Sequence, residues 1–244
     1  CEDTRQTKKI MHRYDFTNNL ISFNEHNSFK KIPKLIDDLK SGKSIALVSD
    51  AGMPSICDPG ENLIKAAKSV GLNITCIPGP CAAITALASS GLPSSKFIFE
   101  GFLPKKISER KKILLDISRN EKTTILFESP NRLKNLLSEL KEYCGGDREI
   151  QVSRELTKKF EEHIGHNINE AVVFFERKDV RGEITVVIKG IDKKTKNSEF
   201  DDAELKKELH YLINAGLSLS AASRYLAKKN NLSKSIIYDM YKTF

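Results

Sequence analysis

The chain has 244 residues, of which 39% are hydrophobic and 30% charged, and its formal net charge is +8. This length can bury a sizeable core in one or two domains, and no low-complexity tract indicates disorder. The longest apolar run, CAAITALA at residues 81–88, is far shorter than the roughly 20 residues of a membrane-spanning helix, so no membrane span is expected. The basic excess suits a polyanionic partner, although a lysine-rich solvated surface explains it as well.

The cysteines and histidines predict neither a disulfide framework nor a metal site. The five Cys are odd in number and form no CxxC pair, and the HxxH pair of His163 and His166 has no third ligand nearby. This usage favours a reducing cytoplasm. The chain begins at Cys1 without a signal-peptide pattern, and we expect its amino terminus to be incomplete.

Short apolar runs in the first 190 residues have the length and the β-branched content of strands. Turn residues flank each of them, as expected for strands of four to eight residues. The predicted strands cover residues 44–50, 73–79, 96–102, 123–129, 149–155 and 182–190.

Segments with helical spacing lie between these runs, and most of them end at Gly or Asn, as helices commonly do. Strands that alternate with helices predict an α/β fold with a mainly parallel, helix-covered sheet. The predicted helices cover residues 28–42, 60–71, 80–91, 109–120 and 131–145.

The composition changes after Ile191. The polar segment DKKTKNSE, residues 192–199, is typical of a linker, and short helices joined by tight turns then predict a helix-turn-helix-like module. Its helices are predicted at 201–216, 217–231 and 232–244, the last with Ser233 as its N-cap candidate.

This carboxyl-terminal part is rich in basic residues. From Lys193 to Phe244 there are ten Lys or Arg and six Asp or Glu, a net +4. That charge favours a nucleic-acid role, and a packing or dimerisation appendage is the alternative.

The residues after the first predicted strand suit a ligand site. Ligands bind beyond the carboxyl ends of strands in an open parallel sheet. Asp50 is followed there by Ala51, Gly52 and Met53, which combine a carboxylate with residues small enough for a close backbone approach. Farther on, Asp58 and Pro59 are interpreted as the cap and start of the next helix.

The second predicted strand ends in a similar way. Gly79 and Pro80 turn the chain into a helix that begins with Cys81, Ala82 and Ala83. Small side chains there leave backbone N–H groups accessible to a small molecule, although close packing of the helix on the sheet explains the alanines equally well.

Several common catalytic motifs are absent from the sequence. No GxGxxG follows a strand, and neither GxxxxGK[ST] nor GxSxG occurs. The usual dinucleotide fingerprint, the P-loop and the hydrolase nucleophile elbow are therefore excluded.

Eight blocks in order carry a resemblance to a known family. The chain resembles the bacterial ribosomal RNA small-subunit cytidine 2'-O-methyltransferases, a branch of the tetrapyrrole methylase superfamily. The blocks are CEDTR (1–5), EHN (25–27), LVSDAGMPSICDPG (47–60), IPGPCAAITALASSGLP (77–93), FEGFLP (99–104), FESPNR (127–132), RELTKKFEE (154–162) and RGEITVVIKG (181–190).

The resemblance implies two α/β domains with S-adenosylmethionine (SAM) in the cleft between them, usually in a homodimer. We place these domains at residues 1–80 and 81–192, with the helical module at 193–244, and we expect the first strand of the first domain to be missing from the sequence. By position, the resemblance implies three sets of cofactor contacts: Asp50, Ala51, Gly52 and Met53; Cys81 and Ala82; and Glu128 and Ser129.

The implied reaction moves the methyl group of SAM to the ribose 2'-hydroxyl of a cytidine in small-subunit ribosomal RNA. A hydroxyl is a weak nucleophile, and a carboxylate or a cation close to it would help. Glu2, Asp3 and Arg5 are the candidate catalytic residues for this reason, with ordinary loop capping as the alternative.

Positive and polar side chains are the candidate RNA contacts, since RNA affinity depends on neutralising phosphates. An ion pair between Arg154 and Glu155 is the structural alternative for one of them. The candidates are His26, Asn27, Arg132, Arg154 and Lys158.

Three positions depart from the family pattern, and two other functions stay open. Met53, Cys81 and Asn131 stand where the family usually has Thr, Ser and His, and Asn131 cannot act in acid–base chemistry because it does not titrate. The alternatives are a tetrapyrrole C-methyltransferase of the precorrin or uroporphyrinogen type and a catalytically silent RNA-binding assembly factor.

Overall fold

The computed structural model describes residues 1–192 and 202–230, together with Lys234, Ile237, Tyr238 and Tyr241. The chain divides into two compact units, Cys1–Gly190 and Ile191–Phe244. Most of the predicted helix at 232–244, including Ser233, lies outside the described residues. The division at residue 80 stays a prediction.

In the first unit, helices and strands alternate along much of the chain. The helices are α1 (Thr4–Arg13), α2 (Ser28–Lys40), α3 (Glu61–Ser69), α4 (Ala82–Ser90), α5 (Ile107–Arg119), α6 (Pro130–Cys144) and α7 (Ile168–Glu176). The strands are β1 (Phe97–Phe102), β2 (Thr123–Glu128), β3 (Ile150–Arg154), β4 (Glu162–Ile164) and β5 (Ile184–Ile188). The predictions of α2 to α6 and of β1, β2, β3 and β5 are confirmed.

The strands form one sheet in the order β1-β2-β5-β3-β4. β1 and β2 are parallel, whereas β5 is antiparallel to both β2 and β3, and β4 is antiparallel to β3. The prediction of a mainly parallel sheet is therefore wrong for these strands. The cause is β5, the last strand in sequence, which inserts between β2 and β3 in the opposite direction, and strand spacing along the sequence does not encode that placement.

Side chains on the strands alternate between two hydrophobic clusters. Leu126, Val186 and Ile188 pack with apolar residues of α5, α6 and α7, while Ile125 and Val187 pack with α4. The sheet is thus covered by α4 on one face and by α5 to α7 on the other. Each fully buried leucine or isoleucine in these layers contributes about 1.5–3 kcal/mol relative to exposure.

Two predicted strands, at residues 44–50 and 73–79, are not strands in the structure. Among the described residues, no strand of the sheet pairs with either segment. A strand needs a hydrogen-bonded neighbour, so β-branched composition alone does not make one. Ile45, Val48 and Ile74 accordingly remain partly exposed.

Two smaller clusters complete the described core. Helices α2 and α3 pack through Phe23, Leu35, Ile36, Leu63 and Ala67. In the second unit, α8 (Asp202–Asn214) and α9 (Leu219–Lys229) pack through a cluster of their own. Gly216, at φ +95°, lies between these two helices, and the Ser218 side chain caps α9 by accepting from Ala221 N–H, as predicted for short helices with a tight turn.

Candidate active site

The carboxyl ends of β1, β2 and β3 lie at the same edge of the sheet. This follows because β1 is parallel to β2, and β2 and β3 are both antiparallel to β5. The loop of residues 49–60 reaches this edge at β1, where Cys57 Sγ lies beside Gly101 and the Phe102 backbone. A Cβ atom on Gly101 would lie 2.9 Å from Cys57 Sγ, so the glycine at this irregular point of the β1–β2 pairing permits the contact.

The 49–60 loop has an unusual backbone. Ser55 and Cys57 have positive φ angles, 68° and 60°, which cost about 1–3 kcal/mol each in residues other than glycine. Ser49 Oγ donates within the loop towards Gly52 O at 3.0 Å. Gly60, at φ +157°, packs so closely on Ser55 that an added Cβ would lie 2.0 Å from Ser55 Oγ. The surrounding contacts therefore hold the loop in one strained conformation.

The loop lies against the start of α4. A Cβ atom on Gly79 would lie 3.2 Å from Met53 Sδ, and one on Gly52 would lie 3.5 Å from Pro80 O. Cys81 is the N-cap of α4 and makes no side-chain capping hydrogen bond. The first two sets of predicted cofactor contacts are thus neighbours, beside an uncapped helix amino terminus that favours negative charge.

The first residues of the chain join the same loop. Asp3 N–H donates to Asp50 Oδ1 at 3.0 Å, and the Asp50 backbone lies beside the Glu2 carboxylate. Asp3 is also the N-cap of α1, where its side chain accepts from Arg5 N–H. The CEDTR block is therefore attached directly to the predicted cofactor loop.

Three carboxylates at this junction, those of Glu2, Asp3 and Asp58, differ in their pKa. Burial raises the pKa of Glu2, and the Asp58 and Asp50 carboxylates raise it further. Hydrogen bonds from the Arg5 guanidinium and backbone lower the pKa of Asp3 to about 2. Burial raises the pKa of Asp58 against the effect of a hydrogen bond from Ser49. Asp58 does not cap α3, whose N-cap is Gly60.

The EHN block lies beside the CEDTR block. Asn27 and Asn24 exchange two hydrogen bonds between backbone N–H and side-chain oxygen, of 3.0 and 3.1 Å. Asn27 Nδ2 donates to Ser22 Oγ, which donates to Glu2 O, both at 3.4 Å. Asn27 is thus used in positioning this loop, while His26 is exposed.

The side chain of Glu128, a predicted cofactor contact, is fully buried among protein groups. Its carboxylate accepts from Ser129 N–H at 2.8 Å and pairs with Arg110 and Arg132 at 3.5 and 3.3 Å. Arg132 also donates to Leu103 O at 2.8 Å. Any contact from residue 128 to a ligand would therefore use its backbone, and Arg132 is mainly engaged within the protein.

The block of residues 154–162 forms the loop after β3. Arg154 donates to Glu162, to Arg181 O and to Phe160 O at 2.9, 3.1 and 3.1 Å, so each of its nitrogens has a protein partner. The predicted structural ion pair of Arg154 exists, but with Glu162 instead of Glu155. With all its nitrogens bonded within the protein, Arg154 has no donor directed to a phosphate.

Lys158, another predicted RNA contact, also has protein partners. Its ammonium group lies 2.9 Å from Glu155 and 3.1 Å from Glu183. Burial alone would lower the pKa of Lys158, but these two carboxylates outweigh it and the pKa is raised. The neighbouring Lys159 and Phe160 are exposed, an aromatic residue and a lysine in an otherwise polar loop.

The described residues offer no metal site and no membrane helix. No group of three or more His, Cys, Asp or Glu side chains in the described part of the chain is arranged to hold a metal ion. Within the same residues, every helix is too short or too polar to cross a bilayer.

Comparison with known sequences places these blocks in one family. Residues 1–172 match the family model described as Tetrapyrrole (Corrin/Porphyrin) Methylases. Ribosomal RNA small subunit methyltransferase I of Bacillus subtilis (strain 168) is 41% identical over 248 residues, covering 99% of this chain and 83% of the relative. The protein of that name from Thermotoga maritima is 44% identical over 190 residues, covering 78% and 85%.

Solved structures with the same fold are more distant in sequence. The cobalt precorrin-4 methyltransferase CbiF is 16% identical, with a TM-score of 0.54 over 72% of this chain and 77% of that one. The methyltransferase CobJ is 20% identical, with a TM-score of 0.52 over 72% and 74%. These likenesses concern the fold alone, and the predicted tetrapyrrole-methylase-like α/β fold is confirmed.

Proposed function

Because the chain belongs to the tetrapyrrole (corrin/porphyrin) methylases and is closely similar to ribosomal RNA small subunit methyltransferases I, we propose that it methylates a cytidine of small-subunit ribosomal RNA on the ribose 2'-hydroxyl, with SAM as methyl donor. The names of these relatives support methyl transfer to ribosomal RNA. The cytidine, the 2'-oxygen and the use of SAM are parts of our proposal.

The observation that carries the proposal is the junction of three segments at one sheet edge. The loop of residues 49–60 contacts the start of α4 through Gly52 and Gly79, and it is bonded to Asp3 through Asp50. Small residues and an uncapped helix terminus lie beside ionisable side chains there. This arrangement fits a small charged cofactor on one side and a polar acceptor on the other.

We assign the cofactor contacts to Asp50, Ala51, Gly52 and Met53 and to the backbone at Cys81 and Ala82. The N–H groups at the start of α4, which no N-cap side chain caps, suit a carboxylate, and the Asp50 carboxylate suits hydrogen-bond donors. Close backbone approach at Gly52 and Gly79 supports this fit. SAM, when bound, supplies an electrophilic methyl group, and the protein supplies its position.

Glu2 is the best candidate to accept the proton of the ribose hydroxyl. Burial and three neighbouring carboxylates, those of Asp58, Asp50 and Asp3, raise the pKa of Glu2 and so make it a better base than an ordinary glutamate. Asp3, whose pKa is held at about 2 by Arg5, stays ionised and paired, which suits a positioning role. Arg5, exposed beside it, is the candidate to stabilise negative charge on the acceptor oxygen.

The remaining parts of the proposal concern the setting of the reaction. The net charge of +8 suits a ribosomal RNA or small-subunit substrate, and we propose that the protein acts in the cytoplasm as a homodimer. His26, which is exposed, and Lys158 and Arg132, whose side chains are more exposed than that of Arg154, remain candidate RNA contacts.

The direct test offers two acceptors to the full-length protein with labelled SAM. We expect transfer to small ribosomal subunits from a strain that lacks the enzyme, and none to a free tetrapyrrole. Transfer to the tetrapyrrole alone would support a C-methyltransferase instead. Binding of RNA without binding of SAM would support a silent assembly factor.

A further inference from the structure

Phe160 is an exposed aromatic residue at the end of a polar loop. It is 63% exposed, and the ammonium group of Lys159 lies 5.6 Å from its ring centroid. An exposed ring beside a lysine combines a flat stacking surface with a positive charge. The two residues follow β3 in the RELTKKFEE block.

The backbone beneath this ring is held firmly. Arg154 Nη2 donates to Phe160 O at 3.1 Å, and Thr157 N–H donates to the Glu161 carboxylate at 2.6 Å. Glu155 and Thr157 have positive φ angles of 53° and 65°, which persist only when neighbouring contacts fix them. The backbone that carries the ring is therefore held in place, while the side chain of Phe160 is exposed.

Lys159 carries a positive charge that no carboxylate balances in the described part of the chain. Lys158, by contrast, pairs with both Glu155 and Glu183, and Glu162 pairs with Arg154 and Lys178. Glu155 and Glu162 of this loop are thus paired with cations, and the exposed Glu161 accepts from Thr157 N–H and lies 2.9 Å from His163 Nε2. Among the described residues, Lys159 is the lysine of the loop tip that has no carboxylate partner, and it lies beside the exposed ring of Phe160.

The loop of residues 155–161 lies at the same edge of the sheet as the candidate cofactor site. It follows the carboxyl end of β3, at the same sheet edge as the ends of β1 and β2. Leu156 packs in the cluster that contains Ala83 and Cys81 at the start of α4. A nucleic acid whose target nucleotide reached the cofactor loop would therefore pass close to residues 159 and 160.

We propose that Phe160 stacks on an unpaired base of the RNA substrate near the target nucleotide, and that Lys159 contacts a phosphate beside it. The inference rests on the proposed function, because it assigns the substrate of the same site. Single-stranded RNA is recognised by stacking of its bases on aromatic side chains, together with positive charges along the backbone. The pair Lys159–Phe160 supplies both within one rigid loop.

The test measures RNA binding and SAM binding separately in full-length variants. Phe160→Ala and Phe160→Leu should each weaken binding to small-subunit RNA about 5- to 150-fold, because both lose the π-face. Phe160→Tyr and Phe160→Trp should stay within about twofold of wild type. Lys159→Ala should reduce the slope of log affinity against log salt by about 0.7, the value for one phosphate contact on a single strand.

The leucine variant decides between stacking and other roles of the ring. Wild-type RNA affinity in Phe160→Leu would overturn the inference, as would a change of oligomeric state, which would assign the ring to an interface between copies of the chain. Loss of SAM affinity or of folding in all four Phe160 variants would make the residue structural and also overturn it. If instead the proposed function is wrong, the wild-type protein will transfer no methyl group to RNA.

Discussion

Asp3 and Asp50 are joined by a 3.0 Å hydrogen bond from the Asp3 backbone N–H to Asp50 Oδ1, across 47 residues of sequence. The preceding residue, Glu2, has its carboxylate beside the Asp50 backbone. The candidate base, Glu2, therefore lies at the predicted cofactor loop. The geometry of this junction underlies the first prediction.

Replacing Asp50 should weaken SAM binding selectively. Asp50→Ala removes a charged acceptor whose hydrogen bonds are each worth about 1.5–3 kcal/mol, so we expect an increase of the SAM Kd by about tenfold or more. RNA affinity should change by less than about twofold. Calorimetric titration with SAM measures the first, and filter binding of small-subunit RNA measures the second.

Asp116→Ala is the matched control, because Asp116 is an exposed carboxylate on α5. It should leave both affinities unchanged. Equal losses of SAM and RNA affinity in Asp50→Ala would remove Asp50 from the cofactor contacts.

Gly60→Ala should disrupt the 49–60 loop. The added Cβ would lie 2.0 Å from Ser55 Oγ and 2.8 Å from Leu47 Cδ2, at a φ of +157°. Gly42→Ala has a positive φ of +91° but no atom within 4 Å, so it serves as control for backbone strain alone. We expect Gly60→Ala to lose about 1–3 kcal/mol of unfolding free energy beyond the control in urea denaturation. Similar losses in both variants would show that the loop is not closely packed at Gly60.

Asp58→Asn should stabilise the protein at neutral pH. Burial, and then Asp50, raises the pKa of Asp58 above its ordinary value of 3.8, so its ionised form is disfavoured in the fold. The stability advantage of the protonated acid is lost as pH rises through the raised pKa, and the neutral Asn avoids this loss. The urea midpoint of the variant should exceed that of wild type at pH 7, and the difference should vanish below the ordinary pKa.

Glu162→Gln should change the stability at neutral pH in the opposite direction to Asp58→Asn. Burial alone would raise the pKa of Glu162, but hydrogen bonds from Lys178 and Arg154 outweigh it and hold the pKa below the ordinary 4.5. Its contribution is present above pH 4.5 and lost as pH falls through the lowered pKa, so this variant should be less stable than wild type at pH 7. If the urea midpoints of Asp58→Asn and Glu162→Gln changed with pH in the same way relative to wild type, the environments assigned to Asp58 and Glu162 would be wrong.

Arg154→Ala should lower stability, because Arg154 on β3 donates hydrogen bonds to Glu162 on β4 and to Phe160 O in the loop between them. The variant removes three hydrogen bonds and leaves the partly buried Glu162 with one fewer partner, and we expect a loss of about 2–3 kcal/mol in urea denaturation. A phosphate contact would behave differently, with weaker RNA binding at unchanged stability. That second result would restore Arg154 to the RNA contacts.

The sequence predicted elements that have strong periodicity and clear end signals. Helices α2 to α6 have both. The segment INEAVVFFE forms α7 and is not among the predicted helices, although Ile168, Ala171 and Phe175, its buried residues, have the i, i+3, i+7 spacing of a helix. Its N-cap was nevertheless visible, since Asn167 precedes Glu170 by three residues and accepts from its N–H. β4 was missed because it has three residues, two of them charged or polar.

Strand-end reasoning singled out Asp50 and Cys81 as cofactor contacts, and these stay predictions. The structure brings their two segments together, although residues 44–50 and 73–79 are not strands. Strand-end reasoning could not foresee that Glu128, Arg132 and Arg154 find partners within the protein, because a charged residue in a sequence does not reveal which opposite charge will fold against it. Which charged side chains pair inside the protein depends on its tertiary structure.

The location of the transferred methyl group tests the central claim most directly. Small subunits from a strain that lacks the enzyme are incubated with the wild-type protein and isotopically labelled SAM, and the RNA is digested to nucleosides for mass spectrometry. Our account predicts label in 2'-O-methylcytidine, on the ribose fragment and at a single position. Label on a base, or no label in RNA while SAM is bound, would contradict it.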